Sequence, residues 1–400
     1  MGRIRARRQG LPNAKALIIC SESLIHPQCV NKLPFPSARS GRATLLTRLQ
    51  IGTEHRLIPD RQRISLIAVV IPTYRARSSI LSVLAQIGPE VDKIFVIDDC
   101  CPEKTGSLVE EKCTDPRVTV INNPTNQGVG GATLRGYQAA AQHGATVIVK
   151  IDADGQMDPT LISDFVKPIL SGRADYTKGN RFFNAASLAP MPPIRIFGNA
   201  ILSLMTKFST GYWNIFDPSN GYTAIHSSLI PLLPANRIAK RFFFETDILY
   251  YLGLLRAVVL DIPIMAHYGD EESNLKIKSI LIPFLGAHFA RFWRRVALQY
   301  FLRDFSFASL CIAVGMPLFL FGLLYGGSNW IVHAIAGTET PTGTIMLATA
   351  SLLLGIQFLL SFFSADIATV PRHPLHTLLS HHILGAVASC VGIRVARSPV

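Results

Sequence analysis

The sequence predicts an α/β domain on a mostly parallel sheet, followed by a two-helix transmembrane hairpin. Three observations carry this. Short β-branched runs alternate with helical patterns between residues 66 and 151, acidic residues stand at the ends of those runs, and two long stretches near the C-terminus carry no charge.

Composition agrees. The 400-residue chain is 49% hydrophobic and 16% charged, against about 25% charged in an ordinary soluble protein, so part of it is expected to face lipid. Its length suits one large domain with appendages. The net charge is +13, and residues 1–64 hold twelve Lys/Arg against three Asp/Glu. The excess therefore belongs mainly to a flexible N-terminal extension, which suits anionic lipid better than nucleic acid; no nucleic-acid partner is expected. The apolar stretch Ala16–Cys20 is too brief for a signal-peptide core. Ala6 stands where N-myristoylation requires Ser or Thr. Seven scattered cysteines include no Cys-x-x-Cys pair, which predicts free thiols in a reducing compartment and no structural zinc.

Leu66–Ile71 is the first strand, a continuous apolar run stopped by Pro72. Lys93–Asp98, Val118–Ile121 and Thr146–Ile151 repeat its pattern, as fully buried parallel strands do. Helical patterns at Ser79–Ile87, Glu103–Cys113 and Gly128–His143 separate them, so βαβ units and a sheet covered on both faces are expected. Ligands of such sheets bind beyond the carboxyl ends of the strands. Further on, 175–182, 222–226 and 258–264 read as strands, and 199–209 and 243–255 as helices.

Phe305–Tyr325 and Thr344–Phe363 contain no charged residue, and about 20 apolar residues span the hydrocarbon core. The intervening loop lacks Lys and Arg. Arg291, Arg294, Arg295 and Arg303 precede the first span, and Arg372, Arg394 and Arg397 follow the second. The positive-inside rule then places both flanks, and the α/β domain, in the cytoplasm, on a bacterial inner membrane or its equivalent. Phe289, Phe292, Trp293, Val296, Tyr300 and Phe301 fall on one helical stripe, the pattern of a helix lying in the membrane interface. The expected divisions are 1–64 (extension), 65–270 (α/β domain), 271–304 (juxtamembrane interfacial helices), 305–366 (hairpin) and 367–400 (cytoplasmic tail).

The chemistry concentrates at Asp152-Ala153-Asp154-Gly155-Gln156, at the end of an apolar strand. Alternate residues of an extended segment point the same way, so Asp152 and Asp154 can converge. Hard oxygen ligands suit Mg²⁺ or Mn²⁺. A second acidic pair, Asp98-Asp99, ends another strand, where adjacent carboxylates call for a cation or donor. Asn126-Gln127-Gly128-Val129-Gly130-Gly131 is neither the dinucleotide fingerprint nor a P-loop, although glycines opening a helix let phosphate or ribose approach the backbone.

Pro72-Thr73-Tyr74, Val96-Ile97-Asp98-Asp99, Asn126-x-Gly128-x-Gly130-Gly131-Ala132, Asp152-Ala153-Asp154-Gly155-Gln156-x-x-Pro159 and Gly179-Asn180-Arg181 occur in the order and spacing of family 2 glycosyltransferases. The chain resembles the branch of dolichol-phosphate mannosyltransferases and bacterial polyprenyl-phosphate glycosyltransferases over about residues 66–270. The resemblance implies a GT-A fold with a Rossmann-like sheet, an inverting hexosyl transfer and a divalent metal. It further implies that Asp98 or Asp99, with Pro72, Tyr74, Gly128, Gly130 and Asp152, binds the nucleotide sugar. Asp152, Asp154 and Gln156 would hold the metal, with His267 completing its shell. Arg181 and Arg195 would bind an acceptor phosphate. Glu245 or Asp247, at a helix start near the acceptor, would serve as general base for a hydroxyl acceptor. The sequence departs from the pattern in two places: Arg75-Ala76 replaces the usual Asn-Glu, and Asn199 stands where serine is frequent. The expected reaction moves a hexose from a nucleoside-diphosphate sugar to a polyprenyl phosphate, with a homo-oligomer possible. The alternatives are a glycan hydroxyl acceptor in cell-surface polysaccharide synthesis, and a degenerate non-catalytic scaffold.

Overall fold

The computed structural model describes residues 65–183, 193–265 and 277–379. Expectations for the N-terminal extension, for His267 and for residues 380–400 lie outside them.

Seven strands form one sheet: β1 (Ile67–Thr73), β2 (Lys93–Asp98), β3 (Val118–Asn122), β4 (Val147–Lys150), β5 (Tyr176–Asn180), β6 (Thr223–His226) and β7 (Val259–Pro263). The spatial order is β3-β2-β1-β4-β6-β5-β7. Every pairing is parallel except those of β6, which runs antiparallel to β4 and β5. This is the mostly parallel sheet that the sequence predicts. β3 departs from the expectation of full burial: as an edge strand it stays half-exposed. β1, β2 and β4 are buried, which is why they read as unbroken apolar runs.

On one face α3 (Gly128–Gln142) and α6 (Phe244–Leu255) cover a core around Tyr137, Ile148, Ile225 and Tyr250. On the other, α1 (Ile80–Gln86), α2 (Thr105–Lys112) and α4 (Ile162–Leu170) cover Val69, Ile71, Val149 and Phe165. In register, Thr73 stands beside Asp98, so the carboxyl ends of β1 and β2 open onto one edge, next to the loop that follows β4.

Two further helices, α5 (Pro193–Thr210) and α7 (Ile277–Val296), pack together. A π-helical turn, Ala297–Arg303, leads to α8 (Phe307–Ala336) and α9 (Thr342–Ala368). Both are long and apolar enough to cross a membrane, and most of their apolar surface is exposed rather than buried as in a soluble core. They form a hairpin in close contact. A Cβ on Gly315 would sit 2.7 Å from Phe358 Cβ, and one on Gly355 would meet the Phe319 backbone, the small-residue packing usual between membrane helices. The helices outrun the expected spans because uncharged residues continue to Gly337, which ends α8 in a left-handed conformation (φ 65°).

The aromatic stripe is divided, with Phe289 and Phe301 exposed and the rest packed inward. Val296 and Tyr300 are buried, and Phe292 and Trp293 pack with them against the hairpin. The apolar side chains that α7 exposes are Ile282, Leu285 and Phe289, matched on α5 by Phe197, Ile201 and Leu204. Two of the flanking arginines are in ion pairs: Arg291 with Asp247 and Arg295 with Asp366. The chain beyond α9 does not leave as a free tail: the backbone N–H groups of Leu375 and His376 donate to Asp175, just before β5.

Candidate active site

A cavity of about 620 Å³ opens at the carboxyl edge of the sheet. Pro72, Thr73 and Tyr74 from the end of β1 line it, with Arg75, Ala76 and Ser79. Asp99 and the start of α3 (Asn126, Gly128, Val129, Ala132) form a second wall, Asp152–Asp154 a third, and Arg241 and Phe242 a lip. The volume lies within the range of small-molecule sites. Ser79 Oγ donates to the Ala153 carbonyl at 2.6 Å, tying α1 to the acidic loop.

The two acidic pairs behave differently. Asp98 turns away from the cavity. Its carboxylate accepts the N–H groups of Cys101 (2.7 Å) and Gly106 (2.6 Å), capping α2, where a negative charge complements the helix N-terminus. Asp98 therefore does not share a site with Asp152 and Asp154, contrary to expectation. Asp99 does line the cavity, but it too closes a helix start, accepting from Asn123 Nδ2 (2.7 Å), Gln127 N (2.8 Å) and Gly128 N (2.7 Å). The Gly128 amide expected to approach a nucleotide is thus taken by Asp99. Gly130 has a packing reason instead: a Cβ there would lie 2.5 Å from the Phe244 ring and 2.7 Å from the Ala239 carbonyl. Its absence lets the segment before α6 cross α3 and bring Arg241 and Phe242 to the lip.

Asp152 and Asp154 both face the cavity, Asp154 the more exposed. Behind them stands Lys150, the last residue of β4 and fully buried. Its Nζ donates to Asp152 Oδ1 at 2.7 Å and to the Gly221 carbonyl at 3.2 Å, and lies 3.8 Å from Glu245 Oε1. Burial works against the ammonium, but Asp152 and Glu245 outweigh it and hold the Lys150 pKa above its ordinary value. Burial also raises the Glu245 carboxyl, with Lys150 opposing and Asp152 adding to the rise. Glu245 thus reaches the site through Lys150, not as part of the cavity wall.

Asp247 is corrected as a candidate base. It is buried, pairs with Arg291 through two bonds of 2.7 and 3.1 Å, and accepts the Ala239 N–H at 2.8 Å. Its role is to hold α7 and the lip segment against α6. Gln156 does not line the cavity; its backbone N–H donates to Asp154 Oδ1 at 2.9 Å. Arg181 makes a two-bond pair with buried Asp217 (2.7 and 2.8 Å). Arg195 lies in the first turn of α5, and its side chain lies outside the described residues.

Among the described residues no three His, Cys, Asp or Glu side chains cluster as a metal site. A Mg²⁺ or Mn²⁺ does not need such a cluster, since it takes one or two carboxylates and leaves other positions to water and substrate phosphates. The hard oxygens of Asp154 and Asp152 fit that chemistry. Both carboxylates line the cavity, Asp154 at the more exposed position.

Residues 68–231 match the model of glycosyl transferase family 2. Over those residues the chain is similar to the glycosyltransferases of that family. It is 28% identical over 233 residues to the UDP-N-acetylglucosamine–dolichyl-phosphate N-acetylglucosaminyltransferase of Methanococcus voltae, spanning 55% of this chain and 92% of that protein. With the undecaprenyl-phosphate mannosyltransferase of Micrococcus luteus it shares 27% identity over 203 residues, or 50% of this chain and 82% of the other. A solved structure, the glucosyl-3-phosphoglycerate synthase of Mycobacterium tuberculosis with Mn²⁺, UDP and glucosyl-3-phosphoglycerate, aligns with a TM-score of 0.41 and 20% identity, over 58% of this chain and 80% of that one.

Sequence reasoning missed Lys150, Ser79 and the Arg241-Phe242 lip. Lys150 had a readable signal. A lysine inside a run otherwise as apolar as Val147–Ile151 must find a buried carboxylate, and Asp152 and the Glu245 helix were the candidates.

Proposed function

We propose that the enzyme transfers one hexose from a nucleoside-diphosphate sugar to a polyprenyl phosphate at the cytoplasmic face of a membrane, with inversion at the anomeric carbon. The observation that carries this reading is one cavity lined by Asp99, Asp152 and Asp154, on a domain whose chain continues into a lipid-suited hairpin. The named relatives use dolichyl and undecaprenyl phosphates.

In this reading Pro72, Tyr74 and the Asp99–Gly128 wall seat the nucleoside, and Arg241 at the lip faces the diphosphate. Asp152, held in place by Lys150, contacts the sugar. A divalent cation bound at Asp154 would act as a Lewis acid, offsetting charge on the departing nucleoside diphosphate. Arg181, oriented by Asp217, and Arg195 receive the acceptor phosphate; the planar guanidinium fork suits phosphate oxygens. One acceptor oxygen bonds to the anomeric carbon while the bond to the diphosphate breaks on the opposite face. A phosphate monoester, with its second pKa near 6, is already largely ionised at neutral pH. No general base is required, which agrees with Asp247 being committed to Arg291. A glycan hydroxyl acceptor is the second reading. It is favoured by Glu245, a carboxyl with a raised pKa in reach of Asp152 through Lys150.

The detergent-purified enzyme should release nucleoside diphosphate only with Mg²⁺ or Mn²⁺, and Asp154→Ala should abolish the release. Full turnover in excess chelator would refute the metal assignment.

A further inference from the structure

An ionisable residue in a membrane helix is costly unless paired, and marks a functional position when its partner can be named. Asp366, in the last turn of α9, is fully buried. Its carboxylate accepts from Arg295 Nη1 (2.6 Å) and Nη2 (2.9 Å), from Trp213 Nε1 (2.8 Å) and from the Tyr300 hydroxyl (2.5 Å). These donors come from α7, from the chain leaving α5 and from the π-helical turn. Arg295 is itself sealed from solvent, and its Nη2 also donates to the Phe208 carbonyl at 2.9 Å. Gly211 (φ 82°) makes the room: a Cβ there would lie 2.9 Å from Arg295 Nη1. Edge-on rings of Phe208, Trp213, Phe292 and Phe363 enclose the group.

We infer that Asp366 is a positioning residue that locks the catalytic domain to the hairpin in one orientation, and so fixes where the cavity stands relative to the bilayer. Stability alone does not account for such a node, because buried ion pairs can often be replaced by well-packed apolar groups at no loss. What four hydrogen bonds on one carboxylate add is direction. Apolar faces slide and rotate on one another, whereas this geometry admits a single arrangement. A second tether lies just downstream, where Leu375 N, His376 N and His376 Nδ1 all meet Asp175 at 2.7 Å. The exit of α9 is therefore fixed on two sides. The link to the acceptor rests on the polyprenyl-phosphate reading; the lock itself does not.

The test uses full-length enzyme in lipid nanodiscs, with dyes attached through unnatural amino acids at positions 167 and 339. Wild type should give one narrow dye-to-dye distance. Asp366→Asn should broaden it or add a second, and Trp213→Phe, which keeps the ring packing and loses one donor, should do so more weakly. Asp366→Asn should also raise KM for polyprenyl phosphate about tenfold, the scale of one lost charge-assisted hydrogen bond, with kcat and donor KM unchanged. A single narrow distance in both variants overturns the lock, as does an equal fall of kcat for every substrate. If Asp366→Asn does not fold, Trp213→Phe decides by the same criteria. Wild-type enzyme that glycosylates no polyprenyl phosphate would defeat the functional reading, while the distances still decide the lock.

Discussion

Replacing Lys150 by Met perturbs the site at its most concentrated charge. Lys150 is 1% exposed, while the carboxylates of Asp152 and Glu245 are 29% and 17% exposed. The substitution deletes a charge-assisted hydrogen bond, a contribution of about 1.5–3 kcal/mol, and leaves two carboxylates without their shared cation. Both keep some solvent, so the cost should stay below the ~3–5 kcal/mol of a sealed pair broken on one side. We expect a loss of about 2–3 kcal/mol. At about 2–4 °C per kcal/mol for a large domain, that lowers Tm by about 5–10 °C, read by tryptophan fluorescence in detergent. Adding Glu245→Gln removes one of the two repelling charges, so the double variant should recover part of the loss rather than sum the two effects. Gly221 belongs to the same unit: a Cβ there would lie 2.4 Å from Asp152 Oδ2 and 2.6 Å from Lys150 Nζ. A Tm for Lys150→Met within a degree of wild type, or strict additivity with Glu245→Gln, would refute the triad.

Three other outcomes are expected. Arg75 lines the cavity with φ 56°, a left-handed conformation that costs most L-residues roughly 1–2 kcal/mol and asparagine less; Arg75→Asn should raise stability by about 1 kcal/mol in a denaturant titration. Gly130→Ala should lower stability and displace the lip, seen as weaker nucleotide binding by calorimetry, because its Cβ meets Phe244 at 2.5 Å. Burial pushes the His226 pKa down to about 4, with His376 adding to the shift and Asp175 opposing it. The unfolded chain takes up that proton near pH 6.5, so this stabilisation is complete above about 6.5 and is lost as pH falls towards about 4. His226→Gln should flatten the dependence of Tm on pH in that window.

The sheet was legible because β1, β2 and β4 are buried on both faces and so read as apolar runs without alternation. The reversed direction of β6 was not, since four residues such as Thr223–His226 look alike in either direction and only the register to β4 and β5 sets it. Asp152 and Asp154 were legible from their place after a buried strand. Asp98 was misplaced for the reason it was noticed: a strand-end carboxylate serves equally to cap the next helix, and here the N–H groups of Cys101 and Gly106 claim it. Asp247 carries the same lesson, its partner Arg291 lying 44 residues away. The stripe from Phe289 to Phe301 is divided: Phe292, Trp293, Val296 and Tyr300 pack against the hairpin while Phe289 and Phe301 stay exposed, because tertiary packing competes with lipid for the same side chains.

The product itself distinguishes a lipid acceptor from a glycan one. Wild-type enzyme in lipid nanodiscs, supplied with isotope-labelled nucleoside-diphosphate hexoses, polyprenyl phosphate and Mg²⁺, should yield by mass spectrometry a polyprenyl phosphate enlarged by a single hexose. Lipid left unmodified while the label enters oligosaccharide would contradict the account.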